Sequence, residues 1–332
     1  MIEKNLLGPW IRRFLLEYLI GERNFARNTQ MSYRDTLTLL LPFACKSAGI
    51  PIDKMVVTDI SPEIVREFLS HLERDRHCTG VTRNQRLGTI HSLARFIGMR
   101  SPVHLSWCTE VRLVPFKKTD KTLITYLEKA EMDALLSQPD RHTLLGMRDY
   151  ILLLFLYNSG ARADEVARLA IKHLNLEDPP SVRIHGKGNK IRMCPLWPTM
   201  VPLLKRLVTG RDTNEVVFLG RANKPMTRFG IYRLVTHYAD MASDQIPSLQ
   251  AKRTSPHNIR HTTAVHLLRS GVDINTIRAW LGHVSLDTTN IYAEVDLEMK
   301  AKALASVDVS GQPVELLQKR TLPSLMTFLQ GI

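Results

Sequence analysis

The stretch Arg253–Asp296, RTSPHNIRHTTAVHLLRSGVDINTIRAWLGHVSLDTTNIYAEVD, decides the fold of the C-terminal half of this chain. Ser255 followed by Pro256 is a typical helix start, because serine caps a helix and proline fits its first position. Gly271 can adopt the left-handed conformation that ends a helix and turns the chain back. The pattern therefore predicts three successive helices, at about 258–270, 274–281 and 286–292.

Groups that bind anions share one face of the first of these helices. His257, Arg260 and His261 fall at i, i+3 and i+4, so their side chains lie together near the helix N-terminus. Backbone N–H groups at a helix start and a forked guanidinium both attract anions. The face therefore predicts a preformed anion site, and His283 and Tyr292 follow it closely in the sequence.

Length and charge limit the function classes. A chain of 332 residues can form two domains of ordinary size. Its formal net charge of +13 and pI near 9.7 favour a polyanionic partner. The longest apolar run, Ile151–Tyr157, is too short to span a membrane, and the N-terminus shows no export-signal pattern. We therefore expect a cytoplasmic, nucleoid-associated protein with no membrane partner.

The cysteines and acidic residues indicate no metal or cofactor chemistry. The four cysteines are scattered and form no C-x-x-C pair, so neither a zinc site nor a disulfide framework is expected. The sequence contains no carboxylate cluster of the kind that holds two magnesium ions, and no G-x-x-x-x-G-K-[ST] loop for a nucleotide. We expect a reaction that needs neither metal nor cofactor.

The N-terminal hundred residues follow a helical pattern of apolar positions. Ser61 and Pro62 predict one helix start by the same capping logic. A later helix, at about 81–97, carries Arg83 and Arg86 on its polar side. A basic helix face is more often solvated than bound to DNA, so these two arginines are weak DNA-contact candidates.

Two stretches depart from the helical pattern. Between Arg100 and Lys121 the period fails and prolines and lysines appear, which predicts an interdomain linker. Between Ser181 and Pro195 the period changes to two around Gly186-Lys187-Gly188-Asn189, which predicts a β-hairpin with Lys187 at its tip. The alternating apolar residues of this hairpin are Val182, Ile184, Ile191 and Met193.

Each candidate residue taken singly has a structural explanation. Arg162 could simply pair with Glu165, Lys187 could be a solvated turn residue, and Tyr292 could be a core tyrosine. Their order and spacing favour catalysis, because the chain resembles the tyrosine recombinases, the integrase family of site-specific DNA recombinases. The motifs that carry the resemblance are NSGARADEVARL (158–169), HGKGNKIR (185–192), PHNIRHT (256–262), WLGH (280–283) and TTNIY (288–292).

The resemblance covers the whole C-terminal half in the family's order, and its motifs are highly specific as a set. Ala161 and Ile259 depart from the usual larger aliphatic residue and leucine, at positions without chemistry. The resemblance implies a nucleophile, Tyr292, and a supporting carboxylate, Glu165. The catalytic residues that it implies are Arg162, Lys187, His257, Arg260, His283 and Tyr292.

The resemblance also implies an architecture. We expect a mainly α fold with a small β-hairpin or sheet (α+β), arranged as a two-domain DNA clamp. The predicted parts are a helical core-binding domain at 1–110, a linker at 111–124, a catalytic domain at 125–305 and a C-terminal tail helix at 306–332 that could contact a neighbouring protomer. The implied partners are duplex DNA recombination sites and further copies of the chain in a tetrameric synaptic complex, with a second recombinase or an accessory factor as further candidates.

The chemistry of phosphodiester attack agrees with these roles. Negative charge develops on the non-bridging oxygens, and the forked guanidiniums of Arg162 and Arg260 can hold it, with His283 as another donor. A tyrosine has a pKa near ~10, so Tyr292 needs a base, for which His257 is the best candidate. Lys187 is the candidate donor of a proton to the leaving 5′-oxygen.

Three other functions stay open on the sequence. A DNA-binding accessory or regulatory protein could keep the fold without strand exchange, although the intact catalytic set argues against it. A type IB topoisomerase shares the catalytic logic and would relax DNA without specific sites. A metal-dependent nuclease built on the histidines is the weakest option. The motif style favours an enzyme of a mobile element, while phage integration, integron capture and dimer resolution use the same core.

Overall fold

The computed structural model describes residues 5–119, 124–186, 188 and 190–282. The described residues form two compact units, one on each side of the gap at 120–123. Both units are mainly helical, and the second contains a small antiparallel sheet. The predicted fold class, mainly α with a small β element, is confirmed.

The N-terminal unit is a cluster of helices around an aromatic and aliphatic core. Its elements are α1 (Leu7–Arg13), which continues as a π-helix (Phe14–Glu22), then α2 (Arg27–Ala48), α3 (Pro62–Arg74), α4 (Gly80–Gly98) and α5 (Leu105–Arg112). Trp10, Phe14, Phe68 and Phe96 are among the buried residues of this core. The predicted start of α3 is confirmed, since the Ser61 side chain accepts a hydrogen bond from the Ile64 backbone N–H at 3.3 Å.

The segment predicted as a linker begins inside this core. Helix α5 occupies residues 105–112, and the indole N–H of Trp107 donates to the Ile60 carbonyl at 2.9 Å. Val111 and Val114 are buried in the same cluster, so the first four residues of the predicted linker belong to the N-terminal unit. A helix of eight residues is too short for its apolar period to stand out between prolines.

The C-terminal unit is built around one helix whose second half is fully buried. Its helices are α6 (Lys129–Ser137), α7 (Leu144–Ser159), α8 (Ala163–Ala167), α9 (Met200–Val208), α10 (Arg228–Ser243), α11 (Pro256–Arg269) and α12 (Ile274–Leu281). Every residue from Ile151 to Ser159 on α7 is buried, which explains the apolar run there without a bilayer. Among the helices that the structure describes, none is both long and apolar enough to cross a membrane.

The sheet has three antiparallel strands in the order β1 (Leu174–Asn175), β2 (Ser181–His185) and β3 (Ile191–Pro195). The predicted hairpin is present, but its apolar alternation does not mark one face. Val182 pairs with Cys194 and Ile184 pairs with Arg192, and these four residues point into the unit. Ile191 and Met193 are exposed, because residues directly opposite each other share a face and theirs is the outer one.

Candidate active site

Arg162 is presented by a sharp turn between α7 and α8. Helix α7 ends at Gly160, whose φ of 57° is left-handed. This backbone conformation favours glycine, and a Cβ at this position would lie 2.5 Å from Leu281 Cδ2 and force that side chain to shift. Arg162 is the N-cap residue of α8, and its side chain is 39% exposed. The turn therefore holds the guanidinium at the surface, where a ligand can reach it.

Glu165 fixes the position of Arg162. The Arg162 Nη1 donates to Glu165 Oε1 at 2.8 Å, and the Arg162 backbone N–H donates to Oε2 at 2.9 Å. The Glu165 side chain is 2% exposed. Burial raises the pKa of this carboxyl, but hydrogen bonds and charge from Arg192 and Arg162 outweigh it, so the pKa is lowered and Glu165 is ionised at neutral pH.

Helix α11 supplies Arg260 and His257. The helix starts as predicted, with Pro256 in its first turn and the Ser255 hydroxyl accepting from the Asn258 N–H at 3.4 Å. Arg260 is 1% exposed and donates to two carbonyls, from Nη1 to Gly160 at 2.6 Å and from Nη2 to Leu281 at 2.6 Å. Its guanidinium therefore joins the turn before Arg162 to the end of α12.

Two histidines meet on the predicted face of α11. The rings of His257 and His261 are 4.3 Å apart between centroids, at 73°. Desolvation lowers the pKa of His257, and the cationic Arg260 and Arg162 lower it further. Desolvation and then His257 lower the pKa of His261 to about 4. His257 is therefore neutral at physiological pH and can accept a proton.

Arg162, His257 and Arg260 line one cavity of about 340 Å³. Helix α10 contributes Phe229 and Tyr232 to the lining, and these residues are 63% and 39% exposed. The cavity thus combines three arginines, Arg162, Arg228 and Arg260, and the His257 imidazole with two aromatic residues. Such a site can hold an anion whose neighbouring groups are rings or sugars.

Arg162 also lines a larger groove of about 1170 Å³ on the hairpin side. Gly186 and Gly188, which flank Lys187 in the sequence, line this groove together with Gly282, which precedes His283. The predicted catalytic residues Lys187, His283 and Tyr292, and the predicted tail, lie outside the described residues. Their roles stay predictions.

The two weak DNA-contact candidates make hydrogen bonds within the N-terminal unit. Arg83 Nη1 donates to the Pro115 carbonyl at 2.9 Å, and Arg86 Nη1 donates to Thr36 Oγ1 at 2.9 Å. Both therefore have a structural role, and DNA contact by either stays a prediction.

Sequence reasoning missed Arg192. Its side chain is 8% exposed, and its Nη2 donates to Glu165 Oε2 at 2.7 Å. The Arg192 Nε also donates to the Trp280 carbonyl at 2.9 Å. The predicted hairpin could have indicated that Arg192 is buried, because the pairing of its strands places Arg192 opposite the apolar Ile184 on the same face.

The residues that the structure describes contain no group of three or more His, Cys, Asp or Glu side chains placed to hold a metal ion. Asp164 is the acidic residue in the lining of the cavity, and its carboxylate pairs with Arg168. The other ionisable lining residues are three arginines and His257, which suit an anionic ligand.

Comparisons with protein families match both halves of the chain. A model described as the phage integrase family matches residues 125–299, and one described as the phage integrase N-terminal SAM-like domain matches residues 11–100. The chain is 34% identical over 301 residues to a Sinorhizobium fredii protein named integrase/recombinase y4rC, covering 90% of this chain and 91% of that protein. It is 30% identical over 290 residues to tyrosine recombinase XerD of Vibrio cholerae, covering 85% and 91%.

Solved structures share the fold at lower identity. The XerH site-specific recombinase bound to difH substrate matches with a TM-score of 0.66 and 23% identity, covering 88% of this chain and 83% of that one. The Tn1549 transposon integrase in complex with transposon right end DNA matches with a TM-score of 0.68 and 14% identity, covering 91% and 99%.

Proposed function

Because this chain belongs to the phage integrase family and is a tyrosine recombinase, we propose that it cuts and rejoins duplex DNA through a covalent 3′-phosphotyrosyl intermediate on Tyr292. The observation that supports this most is the cavity lined by Arg162, His257 and Arg260. Two separate helices and a glycine turn bring these side chains together, and a packing role alone would not need two arginines and a neutral histidine there.

The two arginines would bind the scissile phosphate before the reaction begins. Glu165 holds Arg162, and two backbone carbonyls hold Arg260, so both guanidiniums are fixed in advance. Donors fixed in this way stabilise the charge of the transition state without reorganisation, and one such donor contributes about 3 to 4 kcal/mol. Loss of either arginine should therefore slow cleavage roughly 100-fold or more.

The proposed reaction moves two protons. The Tyr292 oxygen attacks phosphorus while its proton passes to neutral His257, and the bond to the 5′-oxygen breaks as Lys187 gives that oxygen a proton. In the second step the 5′-hydroxyl of a partner strand attacks the phosphotyrosine and loses its proton to Lys187. Tyr292 leaves and recovers its proton from His257, so the protein is unchanged at the end.

We propose two duplex sites held by four protomers at the nucleoid as the working complex, with integration of a mobile element as the process. The basic charge and the motif style support this assignment. The type IB topoisomerase alternative predicts relaxation of supercoiled DNA without specific sites. An accessory role predicts DNA binding without a covalent adduct. Recombination between plasmids carrying the sequences that flank this gene separates the proposed function from both alternatives, and relaxation of a supercoiled plasmid without those sequences separates the two alternatives from each other.

The nucleophile is tested with a nicked suicide duplex and denaturing electrophoresis. Tyr292→Phe keeps the ring but removes the attacking oxygen, so DNA binding should persist while the covalent adduct disappears. Tyr232→Phe is the matched control, because Tyr232 is a partly exposed tyrosine on the same cavity as the arginines and should leave the adduct intact. A persisting adduct in Tyr292→Phe, or its loss in Tyr232→Phe alone, would refute the assignment.

A further inference from the structure

One buried carboxylate serves two guanidiniums in the C-terminal unit. Glu165 accepts from Arg162 through Oε1 at 2.8 Å and from Arg192 through Oε2 at 2.7 Å. The three side chains therefore form a row with one negative and two positive charges. The row as a whole carries one net positive charge.

The two arginines differ in what they can reach. The Arg162 side chain is 39% exposed and lines both cavities, whereas the Arg192 side chain is 8% exposed and lines the larger groove but not the cavity with His257 and Arg260. Because a phosphate can approach Arg162, the net positive charge of the three side chains can attract it at the Arg162 end of the row. Without Arg192, only Arg162 and Glu165 would remain, and the net charge of this pair is zero.

Arg192 also contacts the end of α12. Its Nε donates to the Trp280 carbonyl at 2.9 Å, and Gly282 packs directly on its side chain. A Cβ on Gly282 would lie 3.1 Å from Arg192 Cδ, and the φ of Gly282 is 68°, so glycine permits this approach. Arg192 thereby links α8, β3 and the last turn of α12.

We propose that Arg192 is a positioning residue for strand cleavage: it neutralises Glu165, so that Arg162 keeps its positive charge for the scissile phosphate, and it fixes the end of α12 against α8. This inference rests on the proposed role of Arg162 as a phosphate-binding residue. In this proposal Arg192 acts through Glu165 and the end of α12, and not through a contact of its own with the scissile phosphate.

The charge argument predicts a compensating pair of substitutions. Arg192→Gln leaves Glu165 to neutralise Arg162, and single-turnover cleavage of a suicide duplex at saturating DNA should slow roughly 10- to 100-fold. Glu165→Gln combined with Arg192→Gln removes one charge of each sign, so the three positions again carry one net positive charge, that of Arg162. The double variant should therefore cleave at least ~10-fold faster than Arg192→Gln. Arg192→Lys keeps the charge and should lie between the wild type and Arg192→Gln.

Arg183→Gln is the matched control, because Arg183 is an exposed arginine on the neighbouring strand β2. It should leave the cleavage rate at saturating DNA unchanged. Thermal unfolding of each variant shows whether it is folded. A double variant that cleaves no faster than Arg192→Gln, although folded, would overturn the charge argument and leave Arg192 a structural residue.

A substrate with a neutral methylphosphonate at the scissile position separates this inference from the proposed function. Such a phosphate lacks the negative charge that Arg162 would neutralise, so both Arg162→Ala and Arg192→Gln should lose most of their defect on it. If Arg162→Ala stays equally defective, the proposed role of Arg162 fails. If Arg162→Ala is rescued and Arg192→Gln is not, the proposed role stands and the inference about Arg192 fails.

Discussion

Arg162 and Arg260 have the same proposed chemistry but very different surroundings, and alanine substitution should separate the two. Arg260 is 1% exposed and donates to the carbonyls of Gly160 and Leu281, each at 2.6 Å. Arg162 is 39% exposed and pairs with Glu165, which keeps a second partner in Arg192. We expect each of the two alanine substitutions to abolish most cleavage. Only Arg260→Ala should also lower the free energy of unfolding strongly.

The magnitude follows from the bonds that are lost. A hydrogen bond to a charged group contributes about 1.5 to 3 kcal/mol, and Arg260→Ala removes two of them and leaves a cavity. Relief of a buried charge offsets part of the loss, which leaves a net destabilisation of about 3 kcal/mol. Arg162→Ala removes one partly exposed ion pair and should cost about 1 kcal/mol or less. In a unit of this size 1 kcal/mol shifts Tm by about 2 to 4 °C, so the expected shifts are roughly 6 to 12 °C for Arg260→Ala and below about 4 °C for Arg162→Ala.

Thermal and urea unfolding of the two purified variants test this difference, with adduct formation on a suicide duplex measured at a temperature where both are folded. Arg260→Met is a useful companion, because it fills most of the volume and so reports the loss of the hydrogen bonds and of the buried charge without a large cavity. Equal destabilisation by Arg162→Ala and Arg260→Ala would refute the reasoning. So would an unchanged Tm for Arg260→Ala.

Two further predictions concern proton transfer and pH. Lys187→Ala should slow cleavage of ordinary DNA but do far less harm when sulfur replaces the bridging 5′-oxygen, because a thiolate leaves without a proton; equal defects on both substrates would leave the general acid unassigned. The pKa of His261 is about 4 in the folded unit against 6.5 for an ordinary histidine, so the unfolded chain binds more protons below pH 6.5. The stability that neutral His261 contributes should therefore be present above pH 6.5 and fall by about 2 kcal/mol as the pH drops toward 4, after allowance for partial solvent exposure. Urea unfolding at pH 7 and pH 4.5 measures this. His261→Gln should reduce the difference by about that amount and leave the part due to other histidines with lowered pKa values, such as His257 and His266. A variant as pH-sensitive as the wild type would show that His261 makes no such contribution.

Local signals in the sequence determined much of the fold. The starts of α3 and α11 were predictable because a capping serine and a first-turn proline act within four residues of the chain. The same locality explains why His257 and Arg260 were placed correctly on one helix face. Arg162 was assigned to the same site from the order of the motifs along the chain. The structure supports this assignment, because Arg162, His257 and Arg260 line one cavity.

Tertiary packing decided what lay beyond local spacing. Whether a strand residue points inward depends on its partner across the sheet, so Arg192 is buried opposite Ile184 while the apolar Ile191 and Met193 are exposed. The first residues of the predicted linker likewise belong to a core, because Val111 and Val114 pack against other residues of the N-terminal unit. Arg260 is buried because two carbonyls distant in sequence satisfy its guanidinium. In each case the deciding partner lies outside the residue's own local segment of sequence or across a turn, and the free energy of burial depends on that partner and not on the residue alone.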